Sequence, residues 1–313
     1  LRKDILTDGR HATVEFTNDW KEDSLRRDFT INSIYADQEG NLFDPHNGAE
    51  DLKNGVVTFV GDPEKRIKED YLRILRYLRF FLNYSKKKHL PNVKKIIKQN
   101  IMGIKKLSKE RLLDELKKLF ISKNFVNLGK DEFCKEVILL IFPEIKNLNI
   151  LKKLNKYSLS IITKKNFTFI LSLLVIDETD NSDYFLYKFN VSNETKKKIN
   201  FLKEIYLNSF ENKFFSKKEL QKIFYFHGKS YLIDVIDFQI FKSNKNLKKI
   251  IELKKYFEKL EKPIFPVKTK SIMQKYNVKE SKELGQKLKH LENLWVENSF
   301  KITDKEIDKV FLS

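Results

Sequence analysis

Glu69-Asp70-Tyr71-Leu72-Arg73-Ile74-Leu75-Arg76-Tyr77-Leu78-Arg79-Phe80 sets an arginine at every third residue and fills the gaps mainly with apolar side chains. At about 100° per residue from Asp70, the three arginines fall near 300°, 240° and 180°, while Ile74, Leu75, Leu78, Phe81 and Leu82 fall between about 20° and 140°. The spacing predicts one long helix over Glu64 to Asn83, with Pro63 at its start. One face packs, and the other fans out arginines below an acid. An ordinary solvated basic face has the same spacing, so the periodicity leaves the task of these arginines open.

Upstream, the pattern is mixed. His11 to Phe16 has the β-branched and aromatic content of a short strand, and Asp23 to Tyr35 has helical spacing of Leu25, Phe29, Ile31, Ile34 and Tyr35. Turn residues follow at Gln38-Glu39-Gly40-Asn41, then a Leu42-Phe43 strand, and a Val56 to Val60 strand closed by Gly61-Asp62-Pro63. Downstream the period stays helical. Ser108 with Glu110 opens a helix through Phe120, and capping boxes stand at Ser216 with Glu219 and at Thr303 with Glu306. Apolar residues recur at helical spacing around 131–142, 149–157, 166–176, 195–208, 217–226, 230–241, 245–260 and 281–298.

The bulk numbers bound the class. In 313 residues, 41% hydrophobic with 26 Phe, there is ample material for a packed core. A single cysteine, Cys134, allows neither an internal disulfide nor a thiolate metal cluster and suits a reducing cytoplasm. The longest apolar run, Phe167 to Ile176, is far short of the roughly 20 residues of a membrane span, so no membrane partner is expected. Residues 1–85 carry 13 Lys+Arg against 16 Asp+Glu and the remainder 49 against 27, so the net +19 divides into −3 and +22. A basic C-terminal part suits a polyanionic partner, although a compositional drift toward Lys and Asn produces the same excess.

Two adjacent arginines stand in Arg26-Arg27-Asp28-Phe29-Thr30-Ile31-Asn32, and guanidinium suits phosphate through permanent, bidentate contacts. Asp44-Pro45-x-x-Gly48, Asp51-Leu52, Gly61-Asp62-Pro63 and Arg66-x-x-Glu69-Asp70-x-x-Arg73-x-x-Arg76 follow in order. This ordered set resembles the bacterial CCA-adding and poly(A)-polymerase family of class II nucleotidyltransferases. Leu1-Arg2-Lys3-Asp4 and Asp8-Gly9-Arg10-His11 are similar to that family's strand and loop before the double arginine. Leu107 to Arg111 with Asp114-Glu115, Phe142-Pro143-Glu144-Ile145, and Leu284-Gly285 through Trp295 are similar to its later landmarks.

The resemblance implies a mostly α protein. A short N-terminal α/β remnant of a nucleotidyltransferase head (1–60) would precede a helical neck (61–120) and a helical body and tail (121–313). It implies addition of CMP and AMP to tRNA 3′ ends from CTP and ATP with Mg²⁺, in the cytoplasm, with poly(A) polymerase or a non-catalytic RNA-binding remnant as alternatives. Arg27 would hold the triphosphate, Asp70 and Arg73 would read the base, and Arg76 and Arg79 would brace Asp70 or touch the nucleotide. The logic is one of hydrogen-bond inventories. Cytosine and adenine each present an amino donor beside a ring-nitrogen acceptor, whereas a carboxylate only accepts and a guanidinium only donates. Uracil and guanine present the reverse order and meet mismatched, desolvated groups.

The family's metal-binding Asp-x-Asp pair and Gly-Gly loop do not occur in these residues, so no catalytic or metal-binding residue is assigned. The expectation is that the chain begins inside the catalytic domain and transfers no nucleotide by itself. His11, His46 and His89 lack ligand partners at metal spacing and read as structural or surface residues.

Overall fold

The computed structural model describes residues 1–7, 12–208, 215–243 and 246–312, which form two compact units, Leu1–Asn200 and Phe201–Ser313. The expected class holds: the chain is mostly helical with a small N-terminal sheet. Strand β1 (Arg2–Thr7) pairs antiparallel with β2 (Ala12–Phe16), from Arg2 opposite Phe16 to Thr7 opposite Ala12. The Asp8 to His11 loop lies outside the described residues.

Helix α1 (Trp20–Leu25) begins where Asp19 accepts from Lys21 N at 2.7 Å. It ends six residues later, so the helical spacing over Asp23 to Tyr35 is not one helix. The chain turns through a single 3₁₀ turn, Thr30–Asn32, into β3 (Tyr35–Ala36), which pairs with β4 (Leu42–Phe43). Backbone bonds decide this: Thr30 N donates to Thr58 O and Val60 N to Asp28 O, both at 3.0 Å. The segment is thereby held against Val56–Val60, which forms a single bridge, Phe29 to Phe59, rather than the expected strand. Helix α2 (Gly48–Asn54) starts where Asp44 accepts from Gly48 N and Ala49 N, each at 2.8 Å. Only glycine fits at 48, because a Cβ there would lie 2.1 Å from Thr30 O.

Helix α3 (Pro63–Glu69) carries Pro63 in its first turn and Asp62 as N-cap, accepting from Lys65 N at 2.8 Å. The predicted continuous helix then breaks. Asp70 is extended (φ −151°, ψ 105°), and α4 (Arg73–Tyr84) begins three residues later. Asp70 Oδ1 accepts from Leu72 N at 3.1 Å, a local side-chain bond that competes with the helical ladder. Tyr71 packs its ring on Gly103, where a Cβ would come within 2.0 Å of it. Apolar periodicity runs unbroken through this step, so the spacing alone does not reveal it.

Helix α4 buries Ile74, Leu75, Leu78, Phe81 and Leu82, as the projection requires, and also Tyr77, which lies outside the projected face. Helices α5 (Pro91–Asn100), α6 (Lys109–Phe120) and α7 (Glu132–Ile141) follow, α6 capped by Ser108 and α7 by Asp131. Beyond them the helix Phe167–Val175 buries nearly every residue, as a helix apolar all round must. Asn181 fastens the loops beside it, donating to Glu144 O at 2.6 Å and Val175 O at 2.8 Å.

In the second unit the two helical segments predicted around 217–226 and 230–241 meet at Gly228, whose φ of 85° interrupts the ladder. Tyr225, Trp295 and Val296 form a buried cluster with Phe265, Phe300 and Ile302 against it. The box at Thr303 is complete, with Thr303 N donating to Glu306 Oε2 at 2.7 Å and Glu306 N to Thr303 Oγ1 at 3.4 Å. At Ser216 the hydroxyl accepts from Glu219 N at 3.2 Å.

Candidate functional site

The double arginine grows from one buried carboxylate that the sequence reading passed over. Asp23 is fully buried in the first turn of α1. Its Oδ1 accepts from Arg26 Nε at 2.9 Å and Nη2 at 2.6 Å. Its Oδ2 accepts from Arg27 Nε at 3.2 Å and Nη2 at 2.9 Å, and from Tyr35 Oη at 2.7 Å. Arg27 also lies over the Tyr35 ring, 5.8 Å from its centroid. Burial opposes the Arg27 charge, but Asp23 outweighs it and raises the pKa above the ordinary arginine value. The guanidinium is thus held by its Nε edge while 36% of the side chain stays exposed to solvent.

The next residues of the motif serve structure. Phe29 is buried against Phe59 and Phe80, each with ring centroids at 4.9 Å. Thr30 Oγ1 donates to Asp51 Oδ2 at 2.6 Å, tying the motif to α2. Asp28, 4% exposed, accepts from Asn32 Nδ2 at 2.5 Å and from Arg76 Nε. Burial would raise the Asp28 pKa; the Arg76 and Asn32 bonds overcome that and hold it below the usual carboxylate range.

The helix break gathers the rest. Arg111 Nη2 donates to Asp70 Oδ2 at 2.7 Å. Arg73 Nη1 donates to Arg66 O at 2.7 Å, filling a carbonyl left open at the end of α3, and to Glu69 Oε2 at 2.6 Å. Arg66 Nη1 reaches the same Glu69 oxygen at 2.5 Å, and its Nη2 donates to Arg27 O. Asp70 and Arg73 are one turn apart, joined by an Arg73 N to Asp70 O bond of 3.0 Å. Arg79 Nε donates to Glu115 Oε1 at 2.5 Å, and Arg76 Nη1 lies 4.0 Å from Glu115 Oε2. Burial opposes the Arg76 charge, yet Asp28, then Glu115 and Asp70, raise its pKa above the ordinary value. Glu115 is 1% exposed, so its charge requires these partners.

The structure therefore sets Asp70 and Arg73 at one break and directs Arg76 to Asp28 and Arg79 to Glu115, where the sequence suggested Asp70 or a nucleotide for both. Asp23 was passed over, and Arg66, Arg111 and Glu115, though present in the motifs, were given no role at the site. A signal existed for the last two: four residues apart, they share one face of α6, the helix that pairs with the arginine face of α4. His46 fits its structural reading, with Nε2 2.8 Å from Ser24 Oγ. His89 has more company than its spacing suggested, lying beside Asp131 and Cys134.

Residues 2–58 match the poly A polymerase head domain, and residues 90–148 match the probable RNA and SrmB-binding site of polymerase A. The human mitochondrial CCA tRNA nucleotidyltransferase 1 is 52% identical over 129 residues, 41% of this chain and 30% of the human one. The CCA-adding enzyme of Staphylococcus haemolyticus is 33% identical over 245 residues, 76% of this chain and 57% of that one. The chain resembles CCA-adding enzymes in sequence. It spans 30% of the length of the human relative and 57% of the staphylococcal one. Among solved structures, the Bacillus stearothermophilus CCA-adding enzyme in complex with CTP superposes with a TM-score of 0.62 at 19% identity, covering 91% of this chain and 72% of that one. The family's fold is thus present over both units. No described helix is long and apolar enough to cross a membrane.

Proposed function

We propose that this chain selects the incoming nucleotide and holds the tRNA during addition of CMP and AMP to tRNA 3′ ends, the nucleotide-selecting and RNA-holding part of a CCA-adding enzyme. The observation that carries this reading is the helix break, where Asp70 and Arg73 stand one turn apart, each with its side chain held. A pre-positioned acceptor beside a donor complements the pairing edge of cytosine and adenine and mismatches uracil and guanine. Arg27, steadied by Asp23 with part of its guanidinium open to solvent, suits the triphosphate. The names of the human and staphylococcal relatives support tRNA and CCA as the acceptor and product, and the basic residues beyond 85 suit the polyanion. A partition into head (1–60), neck (61–120), and body and tail (121–313), in a reducing cytoplasm, belongs to the same reading.

Nucleotidyl transfer in this family uses Mg²⁺ held by carboxylates. The described residues of this chain do not fit that ion. No Asp-x-Asp pair occurs in its 313 residues. Among the described residues the one grouping of three candidate ligands, His89, Asp131 and Cys134, offers an imidazole and a thiol rather than a set of hard oxygens. The reading therefore assigns recognition to this chain and no step at the metal.

Equilibrium binding of the four nucleoside triphosphates tests it. CTP and ATP bind more tightly than UTP and GTP, by about 1–3 kcal/mol of discrimination. Equal affinity for all four refutes the base-reading role, and binding of ATP without CTP favours poly(A) synthesis.

A further inference from the structure

Outside the nucleotide site, three chemically different side chains converge at the start of α7. His89 Nε2 lies 3.1 Å from both carboxylate oxygens of Asp131 and 3.7 Å from Cys134 Sγ, and the donor atoms of all three lie within 4.8 Å of one another. We propose that His89, Asp131 and Cys134 form a binding site for a thiophilic divalent cation of the Zn²⁺ class, separate from the Mg²⁺ of nucleotidyl transfer.

The distances fit the ion. With zinc bonds of about 2.0–2.1 Å to nitrogen, 2.0–2.2 Å to oxygen and 2.3 Å to sulfur, tetrahedral geometry puts N and S about 3.5 Å apart and N and O about 3.4 Å apart. The observed 3.7 and 3.1 Å depart from these by a few tenths of an ångström. The two pairs through His89 Nε2 therefore need only small side-chain shifts, while the Asp131 and Cys134 donor atoms, within 4.8 Å of each other, close toward the roughly 3.6 Å of a tetrahedral ion.

The imidazole is also held as a metal ligand's is. Tyr77 Oη lies 2.9 Å from His89 Nδ1, so the second ring nitrogen has a buried partner that sets the ring's orientation and tautomer. Phe81 stacks on the ring at 3.5 Å between centroids and Phe133 meets it edge-on at 4.8 Å. Asp131 and Cys134 are positioned by α7 itself, since Asp131 Oδ1 caps the helix by accepting from Cys134 N at 2.8 Å. Cys134 and His89 are shielded while Asp131 is 24% exposed, which leaves solvent access through the carboxylate.

Loading balances simply. The cation displaces the Cys134 thiol proton to solvent, and the imidazole proton moves to Nδ1, where Tyr77 Oη accepts it. Thiolate, carboxylate and neutral imidazole then leave M²⁺ uncharged overall. A thiolate and an imidazole select Zn²⁺ or Co²⁺ over Mg²⁺. The single cysteine excludes a thiolate cluster, and it leaves a one-thiolate site open.

Co²⁺ titration of the untagged, chelator-free chain tests the site. One equivalent per chain produces a near-ultraviolet thiolate-to-cobalt band with the strong visible absorption of a tetrahedral ion, lost on adding Zn²⁺ and unchanged by Mg²⁺. Cys134→Ser abolishes the ultraviolet band. Tyr77→Phe keeps the band and weakens affinity about 10- to 100-fold. If Cys134→Ser does not fold, the wild-type spectrum decides alone, because this chain has no other cysteine to supply a thiolate. A folded wild-type chain without the band, or a band that survives in Cys134→Ser, overturns the proposal.

Discussion

Arg111 in the first turn of α6 donates to Asp70 Oδ2 at 2.7 Å, so the acid at the α3–α4 break is aimed by a residue 41 positions away. Asp70 Oδ1 is occupied at the same time by Leu72 N. The carboxylate thus has little rotational freedom, which is what an acceptor that discriminates between base edges requires.

Asp70→Ala removes that acceptor and leaves Arg73 able to donate to the carbonyls of uracil and guanine. The CTP-to-UTP ratio of binding constants falls by about 1–3 kcal/mol, roughly 5- to 150-fold. Arg111→Ala leaves the acceptor present but loosely held, and the ratio falls by about 1–2 kcal/mol, roughly 5- to 30-fold. An unchanged ratio in Asp70→Ala would mean that the acid only shapes the helix break.

Arg27→Ala weakens all four triphosphates alike, because phosphate contacts position a ligand without reading its base. Asp23→Asn gives a milder uniform loss by freeing Arg26 and Arg27 from their shared support. A change in the CTP-to-UTP ratio in either variant contradicts the assignment.

Asp28 supplies a pH signature. Its folded pKa is depressed, so the stabilisation it contributes is fully present above its unfolded value of about 3.9 and is lost as pH falls toward the folded value. Asp28→Asn strips Arg76 of its main partner and costs about 2–3 kcal/mol near neutral pH, less than for a wholly buried pair since Arg76 is 29% exposed. Urea unfolding between pH 3 and pH 7 checks both points. The variant's stability varies less steeply with pH than the wild type's.

The proposed division of labour predicts that the chain alone incorporates no CMP or AMP into a tRNA lacking its CCA end, its sequence having no Asp-x-Asp pair. Metal-dependent incorporation by a preparation clean of host enzyme overturns this. Binding of the same tRNA persists and weakens by roughly 10³-fold or more between about 50 and 200 mM salt, through counterion release. A salt-independent affinity contradicts the electrostatic reading of the basic residues beyond 85.

Some of this molecule is written locally. The apolar face of α4, the serine and aspartate caps, the Pro63 start and the Thr303 box depend on residues within a turn or two of each other, and sequence alone determines them. The ordered Arg26–Asn32 and Glu69–Arg76 motifs likewise carry the resemblance to CCA-adding enzymes in the sequence alone. Tertiary structure decided the rest. Asp70 leaves the helix because its carboxylate binds Leu72 N and Arg111, and Tyr71 rests on Gly103; no periodicity encodes a partner 41 residues away. Arg76 and Arg79 go to Asp28 and Glu115 for the same reason. A buried carboxylate must find a cation, and packing sets which one lies within reach. His89, Asp131 and Cys134, silent in sequence because 42 residues separate the first two, become neighbours only when the loop before α5 meets the start of α7.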